Sequence, residues 1–121
     1  MDPEKDRNET IDLITRYFNA LKSGDFNSNL FMSDVTIFTP FMEAPFTGED
    51  AVINELKEIS KGVEDIKILH FVIEAEFACA IIEFKSKSGI TVDMCDTYRI
   101  IGGKFAEIRP YFDPRTLIGD G

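Results

Sequence analysis

Between residues 64 and 113 the chain reads as four strand-like runs in close succession: "EDIKILHFVIEAEF", "FACAIIEFKSKS", "ITVDMCDTYRII" and "KFAEIRPYFD". Each is rich in β-branched and aromatic residues, and "KSKSG" and "IGGK" supply turns of hairpin type between neighbours. Four consecutive strands joined this tightly predict an antiparallel meander. One face of such a sheet must be covered, and the cover has to come from the residues that precede it.

Those residues have helical texture. Residues 6 to 23 predict a helix, with Asp6 and Glu9 in the spacing of a capping box, Ile11, Ile14, Tyr17, Phe18 and Leu21 at helical intervals, and Gly24 as the stop. The segment "DFNSNLF" reads as another turn or two of helix, and "DVTIFTP" as a short strand ended by Pro40. The apolar "FMEAPF" is interrupted by Pro45, so it crosses or lines something rather than running through a sheet centre. Thr47 and Asp50 repeat the capping spacing ahead of Val52, Ile53, Leu56 and Ile59, which predict a second helix ending near Gly62. Helices first and strands afterwards give an α+β fold, a single domain over residues 1–121, with no internal repeat or linker.

Composition excludes several classes of function. A chain of 121 residues with 44% hydrophobic residues and eleven Phe has material for one core. A net charge of −9 and the lack of a basic stripe argue against nucleic acid as a partner. The charged start "MDPEKDRNET" is no signal peptide and no run is long enough to cross a bilayer, so the expectation is a cytoplasmic protein with no membrane partner. Cys79 and Cys95 lack zinc or CxxC spacing and read as buried free thiols. His70 reads as a structural or surface histidine, and Glu83 with Lys85 as ordinary strand alternation. No metal site and no cofactor is expected.

One strand carries an anomaly. In "VDMCDTYRI" alternation puts Val92, Met94, Asp96, Tyr98 and Ile100 on one face, apolar except for Asp96. A carboxylate there must be paired, protonated or wetted by a cavity; the other reading is a bulge that turns it to solvent. In an apolar cavity desolvation favours the neutral acid, which can donate a hydrogen bond to a developing oxyanion. Tyr17, on the buried stripe of the first helix, would be a second donor or an ordinary core-edge aromatic. Asp113 is either an acid/base partner or the start of an Asp-Pro turn. The cavity wall is expected from Phe38, Phe41, Met42 and Phe46, with Met94 and Tyr98 across from them. The alternative is a core filled by the phenylalanines.

The segments "YFNALKSGDF", "FTPFMEAPFTGEDAV" and "YRIIGGKFAEIRPYFDPR", in this order and spacing, resemble the NTF2-like superfamily of ketosteroid isomerases, limonene epoxide hydrolases and SnoaL-like cyclases. The resemblance covers nearly the whole chain. It implies helices closing one end of a strongly curved sheet around an apolar cavity, and a homodimer through the open sheet face. In ketosteroid isomerases a Tyr of the first helix and a protonated Asp of the penultimate strand form the oxyanion hole; Tyr17 and Asp96 match them. Where those enzymes carry their base this chain has Thr39, which joins the ligand-binding set without being able to abstract a proton unaided. Asp113 in "PYFDPR" resembles the terminal Asp of the hydrolases, whose earlier-strand acid corresponds only to Glu83, with Ile37 and Thr39 at their Tyr and Asn positions. SnoaL-like cyclases also use a late acid/base, which Asp113 resembles. The implied function is binding of a small hydrophobic molecule in the cone, with cofactor-independent isomerase, cyclase or hydrolase chemistry. The alternatives are a non-catalytic binding module and a dimeric interaction domain.

Overall fold

Residues 3–26, 29–40 and 43–115 are described by the computed structural model of the chain. The first helix, α1 (Pro3–Ser23), starts with a proline, whose missing N–H is no loss in a first turn. Glu4 and Asp6 near its start and Lys22 near its end match the helix dipole. Asp6 therefore lies inside the first turn, three residues past the helix start, and the expected cap there is replaced by this dipole match. Leu13, Ile14, Tyr17, Phe18 and Leu21 form its buried stripe. Gly24, at φ +79°, ends it by donating its N–H to Ala20 O at 2.7 Å.

The expected extra helical turns are absent from the described part of "DFNSNLF". Phe26 and Leu30 are buried instead, and the chain extends directly into β1 (Phe31–Ile37), which starts before the sequence pattern placed it. A two-residue strand, β2 (Phe46–Thr47), pairs antiparallel with β1 through Thr36↔Thr47 and Ile37↔Phe46. Because Thr47 is committed to this ladder, α2 (Glu49–Ser60) begins at Gly48 without a side-chain cap, and the expected Thr47 cap does not form.

The meander follows as β3 (Val63–Glu74), β4 (Phe77–Ser86), β5 (Thr91–Ile101) and β6 (Lys104–Tyr111). The six strands form one sheet in the order β2-β1-β6-β5-β4-β3, antiparallel throughout except for β1 against β6. Irregularities in register at Val63/Asp65, Ile68/His70, Arg99/Ile100 and Phe31/Thr36 add bend and twist, so the sheet curls. Helix α1 packs across β3 and α2 across β1, closing the concave side.

Phe105 centres the core. Fully enclosed, its ring lies 5.0 Å from that of Tyr98, 5.2 Å from Tyr17 and 6.0 Å from Phe31, joining four elements through one aromatic cluster. The alternation of β5 holds as its sequence implies: Val92, Met94, Asp96 and Tyr98 are buried, and the register shifts only beyond Arg99. The convex face carries Val72, Phe77, Ile81 and Tyr111, all exposed. Cys79 and Cys95 stand on that face as free thiols, half-buried rather than buried, because β4 and β5 turn their odd-numbered residues outward. His70 is exposed on β3, a surface histidine.

Candidate functional site

Curling the sheet under two helices leaves a cavity of about 310 Å³ between α1, α2 and the concave face. Its wall is largely hydrocarbon: Leu21 and Ile59 from the helices, Ile82 and Met94 from the sheet, and the rings of Phe18 and Phe84. Phe46 and Phe112 add rings to it, from β2 and from just past β6. The polar side chains reaching this wall are Tyr17, Thr39, Glu55 and Asp96.

Asp96 is the buried acid at the concave face, 5% exposed. Its cross-strand neighbours are Ala80 on β4 and Pro110 on β6, neither of which can hydrogen-bond a carboxyl through its side chain. Tyr98, two residues along the same strand and so on the same face, donates its hydroxyl to Asp96 Oδ2 at 2.6 Å. Burial pushes the Asp96 carboxyl up to about 7, against the opposing pull of the Tyr98 hydrogen bond. Among the described residues no second hydrogen bond reaches Asp96, and no enclosed side-chain polar atom lacks a partner, so its other oxygen opens on the cavity.

Tyr17, 3% exposed, meets the Tyr98 ring edge-on at 6.0 Å. Its hydroxyl makes no hydrogen bond with Asp96; the direct partner of the acid is Tyr98, which the sequence pattern assigned to the wall. Burial first, and the charge of Asp96 second, push the Tyr17 phenol well above its ordinary range, and the same two causes lead for Tyr98. Both phenols therefore stay protonated donors at neutral pH. Because the Tyr98 bond favours the ionised acid, Tyr98→Phe is expected to move the Asp96 titration above 7, which carboxyl ¹³C shifts against pH will register.

The remaining expected residues divide. Thr39, Phe46 and Met94 line the cavity. Tyr98 stands behind Asp96, and Phe38 lies under the Arg109 guanidinium at 3.9 Å from its ring centre, outside the lining. Phe41 and Met42 lie outside the described residues. Asp113 is exposed and, although Phe112 beside it lines the cavity, is not part of the lining. Its carboxylate accepts from the Arg115 backbone N–H at 3.0 Å and from Arg115 Nη2 at 2.8 Å, bonds that hold its carboxyl below the usual range. Among the described residues its hydrogen bonds are those with Arg115, from the backbone across the Asp-Pro turn and from the guanidinium.

The sequence reading missed much of the apolar wall, among it Ile66, Ile82, Phe84 and Phe112, and one polar residue, Glu55. Glu55 follows Val52 by three positions and precedes Ile59 by four, so it stands partly buried at the edge of the apolar stripe of α2, where that stripe meets the cavity. The same test, an acid on an apolar period, would have found it. Among the described residues no cluster of three or more His, Cys, Asp or Glu could hold a metal ion, and no helix is long and apolar enough to cross a membrane.

Solved structures of similar shape are numerous but distant in sequence. An NTF2-like protein of unknown function from Cytophaga hutchinsonii matches at a TM-score of 0.76 and 20% identity, over 91% of this chain and 95% of that one. A protein with a ketosteroid isomerase-like fold from Catenulispora acidiphila, solved in complex with trimethylamine, matches at 0.74 and 16%, over 87% and 88%. A de novo designed protein with a curved β-sheet matches at 0.79 and 19%, over 95% and 90%. A designed scaffold scoring beside natural proteins shows that these likenesses carry the fold alone. Comparison with curated proteins returns no match. The family model described as "Domain of unknown function (DUF4904)" matches residues 5–121. The chain thus has the NTF2-like fold and belongs to the DUF4904 family.

Proposed function

We propose that the chain binds an apolar small molecule inside the cone and holds its polar end at Asp96 and Tyr17. The observation that carries this reading is the pairing of a mainly hydrocarbon chamber of about 310 Å³ with a buried carboxyl that opens into it. Hydrocarbon walls supply affinity through burial, and a few polar groups fix orientation. The trimethylamine complex of a protein with the same fold accords with a small-molecule site.

Titration with the neutral dye Nile red tests it. One dye per chain is expected, weakened at least about tenfold by Ile59→Trp, which fills the chamber from α2. Uptake indifferent to that substitution would place the dye elsewhere and defeat the reading.

A second reading is catalytic, and the Asp96 carboxyl near 7 favours it, because such a group exchanges its proton at neutral pH. Asp96 and Tyr17 would donate hydrogen bonds to an enolate oxygen in an isomerase or cyclase reaction, the α-proton passing to Glu55, the other carboxyl on the wall; in a hydrolase the same donors would polarise the leaving oxygen. Deuterium exchange at the α-carbon of cyclic ketones checks this, and a rate unchanged in Asp96→Asn would end it. With either reading we propose that two copies pair through the convex face, where Val72, Phe77, Ile81 and Tyr111 are exposed. Sedimentation of Ile81→Glu against wild type reads this out as loss of the dimer.

A further inference from the structure

We infer that the polar end of the bound molecule is a cationic amine on a compact apolar body. The inference rests on the binding reading above and adds the sign of the charge.

The argument begins with an imbalance. Two carboxyl groups face the chamber from opposite sides, Asp96 on β5 and Glu55 on α2, while none of the side chains lining it is Lys, Arg or His. The nearby cation Arg109 is engaged elsewhere: its guanidinium covers Phe38 and approaches Glu107 at 3.7 Å. A carboxylate ligand would bring a third acid into a hydrocarbon chamber with no cation to offset it, a burial of charge that nothing there compensates. An ammonium group offsets Asp96 and Glu55 instead.

The other contacts suit the same ligand. The unengaged oxygen of Asp96 accepts from an ammonium, and so does the lone pair of the Tyr17 hydroxyl. The rings of Tyr17, Phe18, Phe46 and Phe112 border the chamber, and aromatic faces attract cations. At longer range the net charge of −9 steers cations toward the molecule and repels anions.

The competing ligand is a neutral carbonyl or alcohol, which accepts a hydrogen bond from the acid form of Asp96. The two classes differ in the sign of their pH dependence. The titratable groups around Asp96 are Tyr17 from α1, Glu55 from α2 across the chamber, Tyr98 on its own strand and face, and Cys95 beside it in the chain on the convex face; its neighbours on β4 and β6, Ala80 and Pro110, do not titrate. Burial holds both phenols protonated, and burial with the neighbouring Cys79 holds the Cys95 thiol up, so Asp96 dominates the change around neutrality. An amine favours ionised Asp96 and binds more tightly as pH rises through about 7, whereas a neutral acceptor binds more weakly.

The test is calorimetric titration of the whole chain with 1-aminoadamantane, 1-adamantanol and adamantane-1-carboxylic acid, which share one rigid body and differ in charge. The expected result is the amine at least about tenfold tighter than the alcohol, the carboxylate weakest, and amine affinity rising from pH 5 to pH 8. Asp96→Asn should erase the amine preference and its pH slope, and Glu55→Gln, a near-isosteric change at a partly buried position, should reduce the preference. An alcohol as tight as the amine, a preferred carboxylate, or an amine affinity that falls with pH overturns the inference and leaves the binding reading standing. No binding of any of the three, joined to failure of the Nile red titration, removes both.

Discussion

Asp96→Asn is expected to stabilise the protein at pH 8 by up to about 4 kcal/mol and to change its stability little at pH 4. Folding raises the Asp96 carboxyl from its ordinary range to about 7, so between those values the folded chain holds a proton that the unfolded chain has released. Stability from this group is therefore fully present below the unfolded value and is lost as pH rises through about 7. Asparagine mimics the protonated acid: its carbonyl still accepts from the Tyr98 hydroxyl, and its amide faces the cavity in place of the acid O–H. The substitution thus removes the cost of ionising a buried group and nothing at low pH. Urea melts of both proteins at pH 4, 6 and 8 measure it, and the difference between them isolates Asp96 from other carboxyls such as Asp113, whose shift has the opposite sign. A gap that is constant across pH would show that folding leaves the Asp96 titration where the unfolded chain has it.

Phe105→Ala is expected to cost about 3–5 kcal/mol, the range for removing an enclosed aromatic ring. The ring cannot be replaced by collapse, because its neighbours come from α1, β1 and β5, each fixed by its own ladder or helix. The same void removes the backing of Tyr17 and Tyr98, the two phenols around Asp96. Loss of stability should therefore be accompanied by a shifted Asp96 titration, whereas a void outside the cavity lining and away from the two phenols, such as Val52→Ala on α2, should lower stability without moving it. Chemical denaturation together with carboxyl ¹³C titration separates the two.

The meander and both helices were legible because period and turn residues are local signals: Val92 to Tyr98 alternates in sequence as it does in space. Asp96 was legible for the same reason, as a polar residue on an apolar period. The illegible features are those decided by distant partners. Thr47 looks like a cap, yet a ladder with Thr36 claims it. Asp6 looks like a cap, yet the proline three residues earlier already begins the helix. Periodicity shows that Tyr98 faces inward, but only the three-dimensional placement of its hydroxyl makes it, rather than Tyr17, the partner of Asp96. Asp113 occupies a plausible sequence position, and the contact that defines it is with a neighbour two residues away. Glu55 was overlooked although its signal matched that of Asp96.

The parallel seam between β1 and β6 has a consequence for how the chamber comes into being. The hairpins of β3 to β6 join residues close along the chain and carry their own turns, whereas Phe31↔Phe105 ties the start of β1 to the far side of the whole meander. Pairings of such separation close slowly, after local ones. The seam is thus expected to zip last, bringing β2 and the start of α2 with it. Until then the concave wall with its carboxyl stands open to water, and ionising Asp96 costs little. The unusual acidity of the site is in this sense a late product of folding, acquired when the final strand shuts the cone.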